Sequence, residues 1–226
     1  MYTLKEKNTN KTQTPKDLHD LRLFLITDRL LFKDQKYFLT AVESALMGGV
    51  KALQLREKDL PDSELIKLGI QLRKLTLSYR ARLIINSRVD IAKKIGADGV
   101  HLTESSISIN DIKTSFPSLI LGVSTHSIEG AHHAQTQGAD YITFSPIYDT
   151  PSKASYGPPQ GLDSLLQITQ AVSLPVLALG GITLDRVPEC LEQGAFGVAL
   201  ISDIWGSSNI KQHSFEYMQN FGGNIL

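Results

Sequence analysis

Short, nearly unbroken runs of Val, Ile and Leu alternate along this chain with longer stretches whose apolar residues recur every three or four positions. Runs of the first kind suit strands covered on both faces, and the second pattern suits amphipathic helices. The runs predict strands over 21–27, 50–55, 82–85, 99–102, 119–124, 141–144, 175–179 and 197–200. The helical spacing fills the gaps at 36–47, 62–79, 89–95, 110–116, 128–137, 162–172 and 184–193. Thr183 stands where a helix N-cap belongs, and Gly48, Gly96, Gly138 and Gly194 each follow a helix as a C-terminal cap.

Eight strands with intervening helices fit either a closed barrel or an open doubly wound sheet. A weak repeat separates the two. Gly48-Gly49-Val50, Gly96-Ala97-Asp98-Gly99-Val100, Gly138-Ala139-Asp140-Tyr141-Ile142 and Gly194-Ala195-Phe196-Gly197-Val198 share one form, with starts 48, 42 and 56 residues apart. They introduce every second strand, a rhythm that suits a barrel whose interior layers come from alternate strands. The expected fold is an α/β (β/α)₈ TIM barrel over 21–226, preceded by a loosely ordered polar tail at 1–20.

Composition narrows the class of partner. Lys plus Arg and Asp plus Glu both number 23, so no basic excess points to nucleic acid or an anionic membrane surface. No apolar run approaches the roughly 20 residues that cross a bilayer, and the first 20 residues lack the apolar core of a signal peptide. The single cysteine, Cys190, reads as a small buried hydrophobe, and its solitude fits a reducing compartment, with the cytoplasm as the expected location. A homo-oligomer is compatible with all of this.

In such a barrel, chemistry gathers at the carboxyl ends of the strands. After the seventh stands Gly180-Gly181-Ile182-Thr183, and after the eighth Ile201-Ser202-Asp203. Glycines let backbone approach a ligand closely, and these two loops are the usual phosphate site of phosphate-binding barrels. The second strand ends Gln54-Leu55-Arg56-Glu57-Lys58, where alternation puts Gln54 and Arg56 on one face. Arg56 matches a phosphate or carboxylate, and an ion pair with Glu57 or another carboxylate at the rim is the plainer alternative. The third strand ends Asn86-Ser87. The fifth ends Ser124-Thr125-His126, where His126 is the general acid/base candidate. His101 reads as an interior filler, and His132 and His133 as solvated surface. After the sixth strand a long loop from Ser145 to Gly161 reads as a lid carrying Thr150, Ser152 and one cation, Lys153.

From about residue 21 to 204 the chain resembles the thiamin phosphate synthase and thiazole tautomerase superfamily. The resemblance rests on Gln-Leu-Arg-Glu-Lys at 54–58, Ile-Ile-Asn at 84–86, Gly-Ala-Asp-Gly-Val-His-Leu at 96–102 and Gly-Val-Ser-Thr-His-Ser at 122–127. It continues with Ser-Pro-Ile-Tyr at 145–148, Thr-Pro-Ser-Lys at 150–153, Gly-Gly-Ile-Thr at 180–183 and Ile201-Ser202. It implies that Gln54, Arg56, Lys58, Asn86 and Lys153 hold a pyrophosphate, and that Ser124, Thr150 and Ser152 line the substrate site. The backbone of Gly180, Gly181, Ile201 and Ser202 would hold a thiazole phosphate.

The synthases of this superfamily carry two aspartates for Mg²⁺; here the matching positions are Ser87 and Ser106. A neutral hydroxyl is a poor ligand for so hard a cation. The resemblance therefore implies a metal-independent, tautomerase-like enzyme of thiamin biosynthesis, in which His126 moves the proton and Lys153 and Arg56 orient a thiazole phosphate. The alternatives are a thiamin phosphate synthase joining pyrimidine pyrophosphate to thiazole phosphate with Mg²⁺, and a catalytically silent precursor-binding regulator.

Overall fold

The computed structural model describes residues 17–104, 108–150 and 158–222. Eight parallel strands close into a barrel in chain order: β1 (Leu23–Ile26), β2 (Ala52–Leu55), β3 (Arg82–Asn86), β4 (Gly99–Leu102), β5 (Ile120–Thr125), β6 (Tyr141–Phe144), β7 (Val176–Leu179) and β8 (Gly197–Leu200). Strand β8 pairs back onto β1 with Phe24 opposite Ala199. Around them lie α1 (Gln35–Met47), α2 (Asp62–Ser78), α3 (Val89–Ile95), α4 (Ile109–Ser115), α5 (Ile128–Thr136), α6 (Gly161–Ala171), α7 (Val187–Glu192), α8 (Ser202–Trp205) and α9 (Ile210–Gln219). The expected (β/α)₈ barrel is the observed one. No described helix is long and apolar enough to cross a membrane.

Alternation along each strand divides the apolar residues into two cores. Leu23, Leu25, Leu53, Leu55, Leu83 and Ile85 face the helices in the larger core. Phe24, Ile26, Ala52, Ile84, Ile120, Tyr141, Leu177 and Ala199 fill the barrel itself. Leu21, fully buried, joins this inner group from a 3-10 turn, His19–Arg22, that precedes β1. That turn takes the first two residues of the predicted strand.

Two further differences have local causes. Gly48 keeps right-handed geometry (φ −76°), and Gly49 makes the left-handed turn (φ 103°). The predicted helix over 184–193 is a 3-10 turn, Leu184–Arg186, followed by α7, with Pro188 in the helix's first turn, where a missing N–H costs nothing. Thr183 precedes that turn, but its Oγ1 donates to Asp185 Oδ1 at 2.6 Å and caps no backbone N–H.

The repeat acquires a physical meaning at the amino end of the barrel. Asp98, just before β4, accepts from the Leu83 N–H at 2.7 Å and from Arg73 at 2.6 Å. Asp140, just before β6, accepts from the Leu121 N–H at 2.8 Å and from Lys113 at 2.5 Å. Each aspartate ties the preceding strand to the helix that leads into that strand. Cys190 is fully buried, and burial pushes its thiol up to about 11, which leaves it inert.

Candidate active site

The carboxyl end of β2 supplies the first wall. Gln54 is buried, and its amide donates from Nε2 to Asn86 Oδ1 at the end of β3, 3.1 Å away. Asn86 Nδ2 donates in turn to Ser87 Oγ at 3.3 Å. The backbone N–H of Arg56 donates to Thr27 Oγ1 at 2.9 Å, so a buried threonine just beyond β1 sets where the arginine leaves the strand. Thr27 was not singled out from sequence, although a polar residue closing an otherwise apolar strand is the same signal as Gln54.

Glu57 points the other way. Its buried carboxylate accepts twice from the Arg29 N–H, at 3.1 and 3.3 Å, and lies 3.9 Å from Arg29 Nε. Burial is the main cause of its raised pKa. The plainer alternative for Arg56, a pair with Glu57, is therefore not what forms. Arg56 lowers the pKa of the Lys58 ammonium, with partial burial adding to the effect. Among the described residues neither cation has a carboxylate partner. Two cations that repel one another and lack a counter-charge make a ready seat for an anion.

The loops after β7 and β8 supply a second wall. Gly180 and Gly181 both adopt positive φ, 101° and 65°. A Cβ on Gly180 would lie 2.8 Å from Pro146, and one on Gly181 2.7 Å from the Asp149 carbonyl. The pair thus also serves packing, because the Ile147 and Tyr148 N–H groups donate to the Leu179 and Gly180 carbonyls, both at 3.0 Å. Arg186 donates to the Gly181 carbonyl at 2.6 Å and lies 4.4 Å over the Tyr148 ring. Ile201 is half-buried and Ser202 exposed at the start of α8. The Asp203 carboxylate accepts from His213 (2.7 Å) and Tyr217 (2.6 Å) on α9, which anchors that short helix.

The remaining predicted residues fall between these walls or outside the described chain. Ser124 lies half-buried near the end of β5, and His126 just beyond it is exposed. His126 Nδ1 donates to the Ser145 carbonyl at 2.7 Å, which leaves Nε2 of the neutral ring with a lone pair able to take a proton. Thr150 is half-buried at the base of the long loop. That base is pinched where Gln160 and Gly161 donate to the Pro146 and Ile147 carbonyls at 2.7 and 3.1 Å. Ser106, Ser152 and Lys153 lie outside the described residues. His132 and His133 are exposed, as expected. His101 is an interior residue, but hydrogen-bonded at both nitrogens rather than apolar filler.

The sequence model of the family described as thiamine monophosphate synthase matches residues 23–204, all eight strands and the start of α8. The chain belongs to that family. A putative thiamine-phosphate synthase of Geobacter sulfurreducens is 50% identical over 186 residues, which cover 82% of this chain and 87% of that protein. The thiamine-phosphate synthase of Pyrococcus horikoshii is 37% identical over 192 residues, covering 85% and 90%. Among solved structures, thiamine phosphate pyrophosphorylase from Pyrococcus furiosus superposes with a TM-score of 0.81 at 35% identity, covering 90% of this chain and 96% of that one. Membership makes this chain an enzyme of thiamin biosynthesis, as the motifs implied.

The donor set does not fit the Mg²⁺ that the synthase resemblance implies. Ser87 sits in the left-handed region (φ 59°) with its hydroxyl oxygen accepting from Asn86. Asp90 is paired with Arg88. The Glu104 carboxylate lies against Gly130 on α5, where an added Cβ would meet it at 1.9 Å. No group of three His, Cys, Asp or Glu among the described residues could hold a metal ion.

Proposed function

We propose that this enzyme is a thiamine-phosphate synthase, which joins a pyrimidine methyl pyrophosphate to a thiazole phosphate. This departs from the tautomerase expected from Ser87 and Ser106. The observation that carries it is the uncompensated pair Arg56 and Lys58, set beside the amides of Gln54 and Asn86. A thiazole monophosphate is served by the β7 and β8 loops. A second, doubly cationic wall calls for a second and larger anion, and a pyrophosphate meets that demand. The names of the relatives agree with this reading.

In the reaction the bond between the pyrimidine methylene carbon and the pyrophosphate oxygen breaks, and its electron pair leaves with pyrophosphate. The thiazole nitrogen then donates its lone pair to that carbon, and the new C–N bond makes thiamin phosphate. Arg56 and Lys58 stabilise the charge that grows on the departing oxygen. The Gly180–Gly181 and Ile201–Ser202 backbone holds the thiazole phosphate so that its nitrogen faces the carbon. Lys153 and Ser152, on the matching motif, would complete the seat of the leaving group.

The test is direct. Purified protein with both substrates, with and without Mg²⁺, should release thiamin phosphate and pyrophosphate in equal amounts, and Arg56→Ala should lower the rate steeply. No product under either condition would overturn the proposal.

A second reading has its own observation. His126, with Nδ1 donating to the Ser145 carbonyl and Nε2 free to accept, is suited to moving a proton on a thiazole carboxylate phosphate. Isomerisation that His126→Ala abolishes would favour that tautomerase, whereas isomerisation unchanged by the substitution would exclude His126 as its base.

A further inference from the structure

The barrel interior holds a chain of polar contacts directly behind Ser124. Tyr141 on β6, fully buried, places its hydroxyl 3.0 Å from His101 Nδ1 on β4. The other ring nitrogen, Nε2, stands 3.0 Å from Ser124 Oγ and 3.3 Å from Thr143 Oγ1. Register explains the meeting. Strand β5 runs between β4 and β6, with His101 opposite Gly122, Gly122 opposite Tyr141, and Ser124 opposite Thr143. Gly122 leaves room for the phenol, because a Cβ there would lie 2.1 Å from the ring.

The ring is neutral. Burial, aided by the nearby charge of Arg56, pushes His101 down to about 3. One nitrogen then carries the proton and the other accepts. If Nδ1 carried it, the Tyr141 hydroxyl proton would be buried with no acceptor among the described residues, at a cost of about 1–3 kcal/mol. Thr143 competes for Nε2, but a phenol is a stronger donor than an alcohol and its contact is the shorter. The phenol therefore donates to Nδ1, and Nε2–H donates to the nearer oxygen, Ser124 Oγ.

We infer that Tyr141 and His101 form a relay of positioning residues that fixes Ser124 as a hydrogen-bond donor to the substrate. With a lone pair of its oxygen engaged from behind, the Ser124 hydroxyl directs its own proton into the barrel mouth. The ligand atom suited to that proton is an acceptor, a ring nitrogen or an anionic oxygen, whereas a substrate N–H would have to compete for the one remaining lone pair of the oxygen. The inference rests on the barrel mouth being the substrate site, as proposed above.

The test has two independent arms. In the intact protein labelled with ¹⁵N-histidine, with His101 assigned by loss of its signals in His101→Gln, the ring should show a protonated Nε2 and a bare Nδ1. A protonated Nδ1 would overturn the relay whatever the enzyme catalyses. In the kinetic arm, Tyr141→Phe should lower kcat/KM for thiamin phosphate formation about tenfold, the worth of one hydrogen bond. His101→Gln, which keeps a donor near Nε2, should retain more activity than His101→Leu. In a Ser124→Ala background Tyr141→Phe should have no further effect; full additivity would overturn the relay. If Ser124→Ala itself leaves turnover intact, the placing of substrate at Ser124 fails, while the ¹⁵N result still decides the tautomer.

Discussion

Glu57 gives its carboxylate to Arg29 and so, among the described residues, leaves the guanidinium of Arg56, its neighbour in sequence, without a carboxylate partner. Successive residues of an extended chain face opposite sides, so Glu57 turns outward to the loop after β1 while Arg56 turns in. The carboxylate that would otherwise neutralise the proposed anion seat is thereby held away from Arg56.

Arg29 and Arg56 should consequently separate stability from turnover. Arg56→Ala should lower kcat/KM about 10- to 100-fold, the worth of a hydrogen bond to a charged group, with little change in the urea midpoint. Arg29→Ala keeps the backbone N–H that holds the Glu57 carboxylate but removes the cation 3.9 Å from it, and should cost about 1 kcal/mol in urea unfolding. Equal kinetic losses in both variants would contradict this division.

Gly122→Ala should be among the most damaging small substitutions in the barrel. Its methyl carbon would meet the Tyr141 ring at 2.1 Å, with β4 and β6 closing both sides. An overpacked core of this kind loses about 1–3 kcal/mol, and an unchanged denaturation midpoint would refute the contact.

His101 should make the protein acid-labile. Its pKa falls from the usual 6.5 to about 3 on folding, so below pH 6.5 the unfolded chain binds a proton that the folded chain refuses. The stabilisation is complete above pH 6.5 and is lost progressively as pH falls toward 3. Urea midpoints at pH 7, 5 and 4 should drop less steeply in His101→Gln, and parallel curves would exclude His101 as the cause.

Asp140 should matter through its acceptor more than through its charge. Asp140→Ala removes the Leu121 N–H acceptor and the partner of Lys113, for a loss of about 1–3 kcal/mol. Asp140→Asn keeps an oxygen for the N–H and should lose less. Thermal unfolding of the two variants side by side checks the order.

What the sequence revealed was whatever period and position encode. Alternation alone put Gln54 and Arg56 on one inward face, and the Gly-Gly and Ile-Ser pairs fell where a barrel's phosphate loops belong. Partners across strands were not legible. Glu57 finds Arg29 twenty-eight residues back, and His101 finds Tyr141 forty residues on, through strand pairings and registers that the linear sequence does not display. His101 accordingly looked apolar, because its sequence neighbours are apolar and its spatial ones are not. The Asp98 and Asp140 repeat was visible, but its purpose needed the Arg73 and Lys113 side chains of the preceding helices. The break before Pro188 could have been read, since proline belongs in a helix's first turn.

The pairing of Phe24 with Ala199 also sets an order of events during synthesis. As the chain emerges, β1 is made first, and one of its edges has no neighbour until β8 follows some 170 residues later. An open, apolar strand edge is a template for pairing with other chains. Until β8 arrives, the nascent barrel carries that edge exposed, and the strand that shields it also leads into the second of the proposed phosphate loops. Truncations that end before β8 should therefore aggregate rather than accumulate as partly active barrels.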